Sequence, residues 1–228
     1  MPSAIGPVDV WWRVGPAAAG RGSGRALLRH AVAVRCGREP GALRLVPDER
    51  GRPVLLPGPG LPALLLTAAH CGPLTVAALA PASTAPSGPG GTALGIDAEH
   101  LASPPSPALL RHALRAAERA ELGRHSSRTG DFLTLWTAKE AVAKAVGWPL
   151  LRALVDVEIA LRPRPAVVRL GADAAPRGWH VVPLRLPGLP HTVTLVLRAP
   201  RPAHPTPERE TPWTSPARPR SSPAAPAA

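Results

Sequence analysis

Leu94-Gly95-Ile96-Asp97-Ala98-Glu99 is the stretch on which the reading of this chain turns. Its residues alternate, and successive side chains of a strand point to opposite faces. Leu94, Ile96 and Ala98 then face a core, while Asp97 and Glu99 project together from the other face. Two neighbouring carboxylates repel each other unless a cation lies between them. Hard oxygen donors suit Mg²⁺, which binds through one or two carboxylates, waters and substrate phosphates. A strand end with two solvated acids is an equally open reading at this point.

The second decisive stretch is Trp136-Thr137-Ala138-Lys139-Glu140-Ala141-Val142-Ala143-Lys144, inside a helix expected over 132–146. Trp136, Glu140 and Lys144 recur every four residues and stack on one face. Lys139 lies beside Glu140. An ordinary solvated Glu–Lys pair would account for an isolated helix. Here, however, Leu133, Leu135, Ala141, Val142, Ala143, Ala145 and Val146 leave little polar surface, so the helix is expected to be buried on most sides. A buried Lys-Glu-Lys cluster then needs a partner such as metal and phosphate.

Outward from these two segments the pattern is α+β. Strands are expected at 5–14, 64–67, 75–79, 93–99, 155–161, 179–186 and 192–197, and helices at 26–34 and 107–122. The strands are expected to pair mostly antiparallel. Residues 1–92 and 93–199 share a rough plan of strand, helix and further strands, giving two similar α+β halves. From 200 to 228 nearly every third residue is Pro, and such a segment cannot offset its ordering entropy by burial. It is expected to be a disordered tail.

The chain has 228 residues and a formal net charge of +12, carried mainly by Arg. Such a charge favours polyanionic partners without choosing among them. Two cysteines, Cys36 and Cys71, cannot make a disulfide framework. No segment reads as a membrane span or signal peptide, and a cytoplasmic location is expected. Two rivals are open on the residues alone. A Mg²⁺-dependent nuclease would share the clustered acids, but commonly sets its acid and Lys two apart on a strand. A nucleic-acid-binding module would want a basic stripe with stacking aromatics, whereas these arginines are scattered. The Gly20-Arg21-Gly22-Ser23-Gly24 run lacks dinucleotide-loop spacing and reads as a flexible turn.

Two further pieces complete the pattern: Gly51-Arg52-Pro53 in a turn, and Ala69-His70-Cys71 between short strands. An arginine's planar fork of donors suits phosphate. In this order, Gly-Arg-Pro, the His, Gly-Ile-Asp-Ala-Glu and Trp-Thr-Ala-Lys-Glu-Ala-x-x-Lys resemble the phosphopantetheinyl transferases of the surfactin-synthetase-activating type, over roughly Arg25 to Gly147. The resemblance implies a pseudo-dimer of two α+β halves with the active site between them. It implies a monomeric enzyme that moves phosphopantetheine from coenzyme A to a serine of an acyl or peptidyl carrier protein. It assigns Asp97, Glu99 and Glu140 to Mg²⁺, and Glu140 also to the serine proton. Lys144 is assigned to the reacting phosphate and the leaving adenosine 3′,5′-bisphosphate. Arg25, Arg52, His70 and Lys139 are assigned to coenzyme A. Fatty-acid, polyketide and non-ribosomal-peptide carriers are all open, and nucleic acid and membrane are not expected partners. Ala69 and Cys71 replace the serines that usually flank the family's His. That keeps a coenzyme A-binding homologue without turnover among the alternatives.

Overall fold

The structure is a computed structural model and describes residues 7–15, 20–82, 91–102, 105–124, 128–173, 176–199 and 219–221. The first part runs β1 (Asp9–Val14), α1 (Gly20–Cys36), a 3₁₀ turn (Pro40–Ala42), β2 (Leu45–Pro47), β3 (Pro53–Leu55), β4 (Leu64–Cys71) and β5 (Leu74–Pro81). There follow β6 (Ala93–His100), α2 (Pro107–Ala113), α3 (Ala116–Gly123), α4 (Arg128–Val146), α5 (Leu150–Asp156), β7 (Val157–Ala160), β8 (Ala166–Leu170), β9 (Trp179–Leu184), β10 (His191–Arg198) and β11 (Pro219–Ser221). The chain is therefore mixed α+β with antiparallel sheets, as expected. The parallel pairing of β11 with β1 is the exception among the described strands.

Two sheets carry the fold, in the orders β11-β1-β5-β4 and β6-β10-β9. Strand alternation divides each between two cores. Val10, Val76, Ala78 and Ala80 of the first sheet meet Leu94, Ile96, Ala98, Val193 and Leu195 of the second. The other face of the first sheet, with Trp11, Ala77 and Leu79, is covered by Leu27, Leu28, Ala31 and Val32 of α1. The other face of the second sheet is covered by α4, whose Leu135, Ala138, Ala141, Val142 and Ala145 sit in a third core. The sheets also meet at an edge, where the Ile96 amide donates to Thr67 Oγ1 at 3.3 Å. Cys71 lies beside Glu99. β4 and β6 thus run side by side in the same direction.

Several sequence expectations need correction. The glycine-rich run 20–24, read as a flexible turn, is the first turn of α1. The single helix expected over 107–122 is two helices broken at Leu114 and Arg115. Glu118 accepts from the Arg115 amide, which starts a new helix there. The strand expected over 155–161 begins as helix α5 and becomes β7 only at Val157. Within the expected disordered tail, Pro219–Ser221 pairs as strand β11, and the rest of the tail lies outside the described residues. Among the described residues no helix is long and apolar enough to cross a membrane.

Candidate active site

α4 reaches β6 because position 95 is glycine. A Cβ at Gly95 would lie 1.8 Å from the Ala141 carbonyl oxygen, well inside van der Waals contact. Any side chain there would push the helix off the sheet. A hydroxyl pair fastens the helix further: Thr137 and Thr194 of β10 are 2.6 Å apart, Oγ1 to Oγ1. α4 runs antiparallel to β6, so Asp97 meets Glu140 and Lys144, and Glu99 meets Trp136. The face expected to carry two carboxylates does so. It points beneath a helix rather than into water, and Asp97 is only 4% exposed. That disposes of the solvated strand end.

One oxygen each from Asp97, Glu99 and Glu140 lie within 4.8 Å of one another. The Lys144 ammonium donates to Asp97 Oδ1 at 2.6 Å and to the Ile96 carbonyl at 3.2 Å. Glu99 accepts from Trp136 Nε1 at 3.2 Å and from the Cys71 thiol at 3.6 Å. Asp97 Oδ2 is buried and receives no bond from a fixed donor, and a proton on the neighbouring Glu140 carboxyl bonds to the Asp97 side chain. A buried carboxylate oxygen without a fixed donor carries an uncompensated desolvation cost. The electrostatics point the same way. Burial pushes the Asp97 carboxyl above its ordinary value against the pull of Lys144. Burial, then the charge of Asp97, pushes Glu140 up to about 8, with Glu99 adding and Lys144 opposing. Burial and Glu99 raise the Cys71 thiol to about 11. Three crowded carboxylates, one with an oxygen that no fixed donor reaches, form an all-oxygen donor set that fits a hard divalent cation such as Mg²⁺.

Beside this cluster, Lys144 and Arg52 line one cavity of about 260 Å³, together with Thr67 and Ala68 of β4. Arg52 comes from the β2–β3 turn, where Asp48 accepts from its backbone amide and its guanidinium, each at 2.8 Å. Burial works against ionisation of Asp48, but the Arg52 and Arg50 contacts outweigh it and hold the carboxyl below its ordinary value. Arg52 and Arg50 also donate to the carbonyls of Ala145 (3.2 Å) and Val146 (3.0 Å), where α4 leaves its last acceptors open. Gly147 follows at φ +71°, with the Arg50 side chain against it. His70 is exposed on β4, one residue before Cys71. Arg25 is exposed on α1, one residue after Gly24, which packs against Ala68. The structure thus brings Asp97, Glu99, Glu140 and Lys144 together, with Arg52 on the cavity that Lys144 also lines. Arg25 and His70 lie on the elements flanking the cavity.

Lys139 does not join them. Its side chain is 0% exposed and points to the opposite side of α4. There it pairs with Glu118 at 2.7 Å and donates to the carbonyls of Ala113 (3.0 Å) and Leu154 (3.2 Å). Glu118 in turn accepts from the amides of Ile159 and Arg115. Burial pushes Lys139 down and Glu118 up, each opposed by its partner. The expected coenzyme A contact is a sealed structural pair, and the buried Lys-Glu-Lys cluster resolves into two clusters on two faces. Sequence reasoning also missed Gly95 as a spacer, and Trp136 and Cys71 as donors to Glu99. Only the glycine inside a strand pattern was a signal of close approach.

An α+β chain that sets three carboxylates and a lysine beside an arginine-lined cavity is suited to holding a divalent cation against a phosphate ester. Residues 93–195 match the model of the 4′-phosphopantetheinyl transferase superfamily. The matched stretch begins at β6, ends in β10 and holds the whole carboxylate cluster with Lys144. A search of the curated proteins returns no match to the chain.

Proposed function

We propose that this protein is a Mg²⁺-dependent 4′-phosphopantetheinyl transferase, transferring phosphopantetheine from coenzyme A to a serine of an apo acyl or peptidyl carrier protein. The observation that carries the reading is the carboxylate triad within 4.8 Å, with Lys144 on Asp97 and Asp97 Oδ2 without a fixed donor, inside the stretch matching that superfamily. Asp97, Glu99 and Glu140 would hold Mg²⁺. When bound, the ion supplies charge neutralisation at the pyrophosphate. The carrier serine Oγ forms a bond to the β-phosphorus, and the bond from that phosphorus to the bridging oxygen breaks. Adenosine 3′,5′-bisphosphate leaves with the electron pair. Glu140 accepts the serine proton, directly or through a water, a role for which its raised proton affinity suits it. Lys144 stabilises the negative charge on the leaving phosphate. Arg52, which lines the same cavity as Lys144, holds coenzyme A phosphate, and Arg25 and His70 extend that contact from the flanking elements. Each sheet carries its own helix, α1 or α4, in keeping with a pseudo-dimer of α+β halves whose site lies where β4 meets β6. The net charge of +12 suits both coenzyme A and an acidic carrier, and the reading places the protein in the cytoplasm.

Intact mass spectrometry tests this directly. The full chain is incubated with coenzyme A, Mg²⁺ and apo fatty-acid, polyketide and peptidyl carrier proteins. A phosphopantetheine mass gain on a carrier serine is expected, lost with EDTA and with Glu140→Ala. Binding of coenzyme A without gain on any carrier would replace the transferase by a binding homologue.

A further inference from the structure

A second and larger cavity, of about 510 Å³, lies past the end of α4, at the start of β6. Four arginines line it: Arg50, Arg52, Arg152 and Arg198. Asp173 is the one acid among the described lining residues, and Asp48 and Asp156 just outside it pair with Arg52 and Arg152 at 2.8 and 3.2 Å, so the wall keeps a modest excess of positive charge. Two indoles belong to the same wall. The Arg152 guanidinium stacks 4.0 Å from the Trp148 ring centroid, and Arg198 lies 5.5 Å from that of Trp179. Trp179 is only 9% exposed, and its Nε1–H is buried with no acceptor. Lys144 and the carboxylate triad are not part of this wall. The cavity shares Arg50, Arg52 and Trp148 with the smaller one at Lys144, so the C-terminal turn of α4 and its arginine clamp stand between the two.

Like-charged guanidiniums around one concave space attract anions, and the planar fork of arginine matches phosphoryl oxygens two at a time. A bare phosphate would fill only a corner of this volume, which falls in the range of small-molecule sites. Indole and guanidinium planes also offer stacking surface for a flat ring. We propose that this cavity is a second ligand site, built for a nucleoside phosphate and separate from the cavity at Lys144. The shared Arg50–Trp148 wall would couple it to that cavity.

Calorimetric titration of the full chain with ADP, in EDTA and without coenzyme A or carrier, tests this, with Lys144→Ala separating this cavity from the one at Lys144, where the proposed coenzyme A site would also take a nucleotide. Inorganic pyrophosphate is titrated in parallel as the ring-free anion. The expectation is ADP binding that Lys144→Ala leaves in place and that Arg152→Ala and Arg198→Ala each weaken about tenfold, the scale of one lost charged hydrogen bond. Pyrophosphate should bind at least about tenfold more weakly than ADP if the ring is stacked. Arg198→Ala uncovers the buried Trp179 and risks local unfolding, whereas Arg152 lies on the exposed side of α5, so that variant keeps the test decisive. ADP binding lost with Lys144→Ala but indifferent to Arg152→Ala would overturn the second site, as would no ADP binding at millimolar concentration. Pyrophosphate binding as tight as ADP would overturn its nucleoside half.

Discussion

Helix α4 carries two lysine–carboxylate pairs of nearly equal length, 2.7 Å for Lys139–Glu118 and 2.6 Å for Lys144–Asp97. On one side every Lys139 proton has an acceptor, Glu118 takes two backbone amides besides, and neither side chain touches solvent. On the other, Lys144 is a third exposed, Asp97 keeps an oxygen without a fixed donor, and two more carboxylates crowd in. A buried ion pair is tolerable only when its remaining hydrogen-bonding capacity is met. The Lys139 pair meets it within the chain and ties α3, the end of α2, α5 and β7 to α4. The Lys144 pair does not, and what is left over has the sign and chemistry of a cation site. The contrast separates a pair that holds the fold from a pair with capacity left for a cation, on one helix and five positions apart.

Breaking each pair should therefore give opposite phenotypes. Lys139→Met strands Glu118 without a counter-charge and should cost about 3–5 kcal/mol of unfolding free energy, read by urea denaturation. Adding Glu118→Leu removes the stranded charge but leaves the Ile159 and Arg115 amides without their acceptor, so it should recover only part of that loss. Folded Lys139→Met should transfer phosphopantetheine at close to the wild-type rate; a large loss of activity without a loss of stability would return Lys139 to the site. Glu140→Gln is the mirror case. It should lower the transfer rate by about 10³-fold, while its thermal midpoint without metal should hold or rise, because one of three crowded carboxyls has been neutralised.

How much of this could be read from the chain depends on where each residue's partner lies. Asp97 and Glu99 announced a shared face through strand alternation, and Glu140 and Lys144 through helical spacing. Both rules are local, and both held. Lys139 was misplaced because its partner is 21 positions away, on a helix break that the even hydrophobic pattern of 107–122 did not reveal. α5 was missed for a related reason: Leu154, Val155 and Val157 suit a strand by propensity, and only packing against α4 decides for helix. Gly95 was visible as a glycine in a strand, but not as the site of a 1.8 Å clash. Arg52 stood out in its turn as a donor suited to phosphate, yet its hold on Asp48 and the end of α4 was not legible.

pH sharpens the comparison further. A carboxyl raised to about 8 holds its proton at neutral pH, and on the proposed reading Mg²⁺ would displace that proton. Mg²⁺ affinity should rise with pH up to about 8, and calorimetry near pH 7 in buffers of different ionisation enthalpy should show proton release. The sign for stability is the reverse. The folded state without metal holds the Glu140 proton more tightly than the unfolded chain, so its stability should fall as pH climbs from the ordinary glutamate value towards 8. Mg²⁺ should flatten that decline. Glu140→Gln should shrink both effects, leaving the share carried by the raised Asp97 carboxyl.

The smallest expected effect concerns the support of Glu99. Trp136 Nε1 fixes one of its oxygens and the Cys71 thiol the other. A thiol is a weak donor, so the indole should carry most of the orientation. Trp136→Phe keeps the ring near Phe132, with which Trp136 stacks at 6.1 Å between centroids, and removes only the donor. One neutral-to-charged hydrogen bond lost from a metal-ligating carboxylate should weaken Mg²⁺ binding by about tenfold, the low end of what outer partners of metal ligands contribute. Cys71→Ser offers a stronger donor but on a shorter bond, no nearer to Glu99 than the 3.6 Å of the thiol, and should leave binding about unchanged. If Trp136→Phe leaves Mg²⁺ affinity unchanged but lowers the denaturation midpoint, the indole belongs with Lys139 among the residues that hold α4 in place. The boundary between the two sides of the helix would then run between Trp136 and Glu140.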